Sequence, residues 1–119
     1  MQSHYMERPL QLLTPNGATH EFRWRIGIPR VKGEEWEWFT TVQLTLDGVE
    51  VETMDIFGVD AVDSLLGAIW IGGVRLRGYQ DAYRDMGFIL SWLGGEDLGI
   101  PKELGWLTGA EDQPTDEFP

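Results

Sequence analysis

The stretch WEWFTTVQLTL-DG-VEVETMDIF, from Trp36 to Phe57, decides the fold. Two runs that alternate apolar and polar residues flank Asp47-Gly48, the pattern of a β-hairpin closed by a two-residue type I′ turn. So short a loop fixes the register. It sets Leu46 opposite Val49, Leu44 opposite Val51, Val42 opposite Thr53, Thr40 opposite Asp55 and Trp38 opposite Phe57 on one face, the expected core face. The reverse face then pairs Thr45 with Glu50, Gln43 with Glu52, Thr41 with Met54 and Phe39 with Ile56. It is polar near the turn and apolar away from it. Phe39, Met54 and Ile56 are therefore expected to form a patch that a terminal segment covers or that serves as an interface.

Working outward toward the N-terminus, Phe22, Trp24, Ile26 and Ile28 alternate with Glu21, Arg23 and Arg25 as a half-buried strand does, until Pro29 closes it. Val31 to Glu35 reads as a polar loop. Leu10 to Leu13 is a short strand ended by Pro15-Asn16-Gly17. Toward the C-terminus the period changes to 3.6. Val62, Leu65, Leu66, Ile69, Gly73 and Leu76 fall on one helical stripe, with Asp60 as N-cap and Asp63 in the first turn. Arg75 and Arg77 suit the far end and Gly78 the terminating position, giving a helix of ~18 residues, about 27 Å long. Gly67, Gly72 and Gly73 cost helix propensity, which points to a close approach of the sheet. A polar connection follows, then a final short strand in which Phe88, Leu90 and Trp92 alternate with Ile89, Ser91 and Leu93, ended by Gly94-Gly95.

This order specifies an α+β fold, an antiparallel β meander of four to five strands including the Asp-Gly hairpin, packed against one amphipathic helix, with a final short strand. Residues 1–110 are expected to form a single domain. Residues 111–119, with Glu111, Asp112, Asp116 and Glu117 and no Lys or Arg, read as a disordered acidic tail.

Composition narrows function chiefly by exclusion. The net charge of −11 opposes phosphate backbones and anionic membranes, so neither nucleic acid nor membrane is an expected partner, whereas a basic protein would be steered toward this surface. The chain has no Cys, which removes disulfides, thiolate metal sites and cysteine nucleophiles and fits a reducing cytoplasm. His4 and His20 lie in different segments and in no ligand motif, so no metal is expected. Ser3, Ser64 and Ser91 lie in no nucleophile-elbow sequence. Gly72-Gly73 and Gly94-Gly95 match neither phosphate-loop nor dinucleotide fingerprints, and no cofactor is expected.

Carboxylates carry what chemistry remains. Asp55, Asp60 and Asp63 surround the strand-to-helix junction, where acid–base work or a divalent ion is conceivable, and Asp55 and Asp60 are the catalytic candidates. Each also has a structural reading: Asp60 as cap, Asp63 at the positive helix end, and Asp55 facing Thr40 across the hairpin.

Trp36-Glu37-Trp38 entering a strand, Gly58-Val59-Asp60 leading a helix with Leu65, Leu66 and Ala68, and Leu90-Ser91-Trp92 followed by Gly99-Ile100-Pro101 together resemble a family of short bacterial proteins of unknown function. The family favours Gln where this chain has Asp63 and an aliphatic residue where it has Gly67. The resemblance implies the strand–helix–strand order and a bacterial source, and it brings no catalytic residue. The expectation is a non-enzymatic protein-binding module, immunity-like or accessory to a basic partner. The alternatives are a small carboxylate-using hydrolase or ligand-binding enzyme, and a self-associating subunit that forms a homo-oligomer.

Overall fold

A computed structural model describes residues 5–33 and 37–100. Six strands and one helix follow in the order β1 (Tyr5–Leu13), β2 (Thr19–Gly27), β3 (Arg30–Lys32), β4 (Glu37–Leu46), β5 (Val49–Gly58), α1 (Ala61–Asp85) and β6 (Ile89–Ser91). Among the described residues all pairings are antiparallel. β1 has β2 and β6 as neighbours, while β4 has β5 on one side and β2 with β3 on the other. The fold is α+β, a single sheet backed by one helix: five strands precede the helix and a short sixth follows it, the upper count of the expected meander, with β3 and the first half of β1 pairing where no strand was marked.

The additional pairing has local causes. Arg30–Lys32, of which Val31 and Lys32 were expected in a loop, pairs with Phe39–Glu37 and resumes the β2 edge after Pro29 breaks it. β1 starts at Tyr5 rather than Leu10 because Arg8, a charge on the core-facing side, hides the alternation. Its guanidinium lies 4.1 Å from the Trp92 ring centroid, and Nη1 donates to the Leu98 and Gly99 carbonyls, so the charge is hydrogen-bonded rather than merely buried.

The hairpin turn is as expected, with Asp47 and Gly48 at φ 51° and 83°. The register is not. A bulge between Leu44/Glu52 and Thr45/Glu50 leaves Val51 as an extra residue, and beyond it every β5 side chain is displaced by one position. Val42 therefore meets Met54, Thr40 meets Ile56, Thr41 meets Asp55 and Phe39 meets Phe57. Because side chains alternate, this slip exchanges the two faces. Met54 and Ile56 turn toward the core, and Glu52 turns toward the helix to accept from Arg75 Nε and Tyr79 Oη. The expected patch of Phe39, Met54 and Ile56 does not exist, since Phe39 lies on the opposite face from the other two.

The helix start matches the sequence reading. Asp60 Oδ1 accepts from Asp63 N at 2.7 Å, and Asp63 Oδ2 accepts from Val59 N at 2.9 Å. The helix then runs 25 residues, about 37 Å at the usual rise, straight past Gly78. It ends at Gly87, where φ is +84°, with Phe88 N bonded to Tyr83 O and Gly87 N to Arg84 O. That is a Schellman motif, closed by the stacked rings of Tyr83 and Phe88. Residues 79–85 are thus helix, not connection. The buried stripe is Ser64, Ala68, Gly72, Leu76 and Gln80, and Val62, expected on it, is exposed.

The core lies between α1 and one sheet face. Phe22, Val42, Leu44 and Leu76 are fully buried, each worth roughly 1.5–3 kcal/mol relative to exposure. A Cβ on Gly72 would lie 2.5 Å from Trp24 Nε1 and one on Gly67 3.1 Å from Ile56, which is the close approach the glycines implied. Gly73 instead makes room for Ile100 of the final segment. Gln80 donates to the Leu90 and Glu96 carbonyls and Arg77 to that of Ile100, holding this segment against the helix.

Candidate functional site

A single helix covers one face of a sheet, and among the described residues nothing covers the other. Its rows can be read from the pairing. Glu7, Arg25, Gln43 and Thr53 form one row across β1, β2, β4 and β5. Tyr5 and Gly27 form the next, with Thr41 beside Gly27 and Asp55 beyond it. Arg30, Phe39 and Phe57 form a third. Among the described residues, four of the nine Lys and Arg of this acidic chain, Arg23, Arg25, Arg30 and Lys32, stand on this face.

The cations are organised by rings and carboxylates. Arg25 lies over Tyr5 at 4.8 Å, Arg30 over Phe39 at 5.0 Å and Lys32 over Phe57 at 5.6 Å. Glu7 takes both Arg23, at 2.7 Å, and Arg25, at 3.0 Å, while Glu21 takes Arg23 at 2.8 Å. Arg23 stands opposite Thr45 in the ladder, and the Arg23 Nε and the Thr45 hydroxyl are both buried without a hydrogen-bond partner among the described residues. Arg30 has no ion pair among the described residues. Where Gly27 supplies no side chain, a concavity of ≈ 350 Å³ opens between Tyr5, Arg25, Ile28, Arg30, Thr41 and Gln43.

The expected catalytic carboxylates are otherwise engaged. Asp60 and Asp63 both hold the helix start, Asp60 accepting from the Asp63 amide and Asp63 from the Val59 amide. Asp55 is on the open face and accepts from Thr41 Oγ1 at 2.7 Å, so its partner is Thr41 rather than Thr40. Ser64 is fully buried and bonded to Thr40 Oγ1 and the Ala61 carbonyl. His20 Nδ1 sits 2.7 Å from Asp47, tying the hairpin turn to β2. The Glu21 amide, and then His20, hold the Asp47 carboxyl below the ordinary carboxylate value. Burial pushes the Tyr79 and Tyr83 hydroxyls upward. Among the described residues no three His, Asp or Glu gather as a metal site. Ser3, His4, Trp36 and the acidic tail lie outside the described residues.

The sequence held one unused signal for this surface. The outward positions of β2 read Glu21, Arg23, Arg25, Gly27, a charged row that stops at a missing side chain. No family model, curated protein or solved structure matches the chain. No helix among the described residues is long and apolar enough to cross a membrane.

Proposed function

We propose that the chain is a non-enzymatic protein-binding module that presents its uncovered sheet face to another polypeptide. The observation that supports this reading is the composition of that face, arginines stacked on Tyr and Phe rings around a concavity, in a chain whose net charge is −11. Arg and aromatic residues are the types enriched at the buried centres of interfaces, where planar groups supply contact area at low entropic cost. Long-range steering and local contact are separate matters. The acidic average field attracts a basic partner, while the cations of the face meet an acidic element of that partner's surface. The absence of Cys fits action in a reducing cytoplasm.

Affinity capture from host lysate tests the surface when three baits are compared: the wild type, the double variant Arg30→Glu with Phe57→Glu, and Val62→Glu on the exposed helix face. A stoichiometric protein retained by the wild type and Val62→Glu but lost with the double variant is the expected result. Equal retention by all three refutes the sheet face as the binding surface. Association should also slow as salt rises, because screening shortens the reach of the field.

A further inference from the structure

We propose that the Gly27 concavity is a carboxylate-binding site, which receives one acidic group of a partner polypeptide between Arg25 and Arg30; this rests on the reading of the open face as a binding surface. The geometry comes from an absent side chain. Along β2 the residues that point to the open face are Glu21, Arg23, Arg25 and Gly27, so a Cβ at 27 would project into the concavity between Tyr5 and Thr41. Its nearest neighbour would be the Thr41 carbonyl at 3.5 Å, an ordinary contact, so the dent is not forced on the strand by crowding.

Donors converge on this dent. The Arg25 guanidinium, which lines the dent, is fixed by Glu7 through Nε and by the Gln43 Oε1 through Nη1, so Nη2 is the nitrogen not engaged by either bond. Arg30 is held by its ring contact with Phe39 and has no ion pair among the described residues. Tyr5 adds a hydroxyl to the lining, and Gln43 lines it with an amide whose oxygen accepts from Arg25 and whose nitrogen donates to Thr53 Oγ1 at 3.5 Å. Planar guanidinium forks match a planar carboxylate in two parallel bonds.

Charge selects a monoanion. Of the charged groups that line the dent, Arg25 is matched by Glu7 and Arg30 has no ion pair among the described residues, so the lining carries the surplus of one cation; Asp55 and Lys32, on the same face but outside the lining, offset one another. A phosphate dianion would leave a charge unmatched in a chain already strongly negative, whereas one carboxylate balances the site. The ≈ 350 Å³ volume is at the small end of ligand sites, room for a side chain rather than a cofactor.

The test is a titration of the ¹⁵N-labelled full chain with the acetylated, amidated peptide Gly-Ala-Glu-Ala-Gly. Its Gln analogue, a Gln version with a free C-terminal carboxylate, and inorganic phosphate are compared at equal ionic strength. Saturable shifts of the Gly27 and Thr41 amides and the Gln43 side-chain amide are expected with either carboxylate peptide. The stronger of the two identifies a side-chain or a terminal source. Arg30→Gln should weaken binding about tenfold, the scale of one charge-assisted bond. Gly27→Val, which fills the dent without removing charge, should weaken it at least as much while leaving the fold intact. Equal shifts from the Gln analogue, tighter saturation by phosphate, or unchanged affinity in both variants would overturn the proposal. If that happens while the captured partner is still lost with the Arg30→Glu and Phe57→Glu double variant, the carboxylate site fails and the binding module stands; retention of the partner by that double variant as well removes the surface itself.

Discussion

Alanine at Gly78 and at Gly87 should change stability in opposite directions. Gly78 is exposed in the helix interior, and a Cβ there meets nothing within 4 Å, so Ala gains the full difference in helix propensity, about 1 kcal/mol. Gly87 sits at φ +84° with a Cβ position 3.3 Å from Pro15 Cγ, and forcing an L side chain into the left-handed region costs roughly 1–2 kcal/mol before that contact is added. The two variants should therefore differ by about 2–3 kcal/mol. With a urea m-value of about 1–3 kcal/mol/M, their unfolding midpoints should lie on the order of 1 M or more apart, wild type between them. Far-ultraviolet circular dichroism in urea reads both. A destabilised Gly78→Ala variant would mean that the helix stops there in the left-handed conformation, and the reasoning about its C-terminal end would be wrong.

Two further substitutions probe the bulge and the turn. Ile56→Asp should lose at least about 2 kcal/mol because Ile56 packs on Gly67, whereas Phe57→Asp, on the open face, should lose about 1 kcal/mol or less; the reverse ranking in urea denaturation would restore the unbulged register. Asp47 has a native value below its ordinary one, so near and below about pH 4 the unfolded chain binds the extra proton first, and the stability this group supplies is present above that range and lost as pH falls through the native value. Asp47→Asn keeps a residue suited to the turn and should flatten the acid limb of the stability–pH profile. Identical limbs in variant and wild type would show that the Asp47 contacts do not matter to folding.

Local chemistry was legible in the sequence wherever a residue acts on its own neighbours. Asp47-Gly48 must turn because both residues take positive φ, and Asp60 must cap because Asp63 stands three residues on to bond back. What escaped was decided between elements. Val49, Glu50, Val51 and Glu52 alternate without a flaw, and no Gly or Pro announces a bulge there; the slip is set by Met54 and Ile56 seeking the helix and by Glu52 reaching Arg75 and Tyr79. Arg8 broke the pattern of β1 because its partners, Trp92 and the Leu98 and Gly99 carbonyls, lie some ninety residues away. Gly78 offered a stop signal as good as Gly87, and only the stripe continuing through Tyr79, Gln80 and Tyr83 separates them. The candidate site was unread for a related reason: it is assembled from four strands around a side chain that is not there.

One extra residue in β5 thus changes the character of the exposed surface. Without the bulge, the open face would carry Met54 and Ile56, an aliphatic patch like the core it would resemble, and such a patch calls for permanent cover. With it, those residues enter the core and the open face keeps Phe39 and Phe57 capped by Arg30 and Lys32. A cation over each ring makes the aromatic surface compatible with water while leaving ring edges and guanidinium donors available to a partner. The helix cannot serve that face, since α1 is committed to the other by Gly72 against Trp24 and by the Thr40–Ser64 bond. Among the described residues the sheet therefore buries one side and keeps the other wettable, and within the proposed function that asymmetry fits reversible binding better than obligate self-assembly, which would select the more apolar surface that the bulge removes.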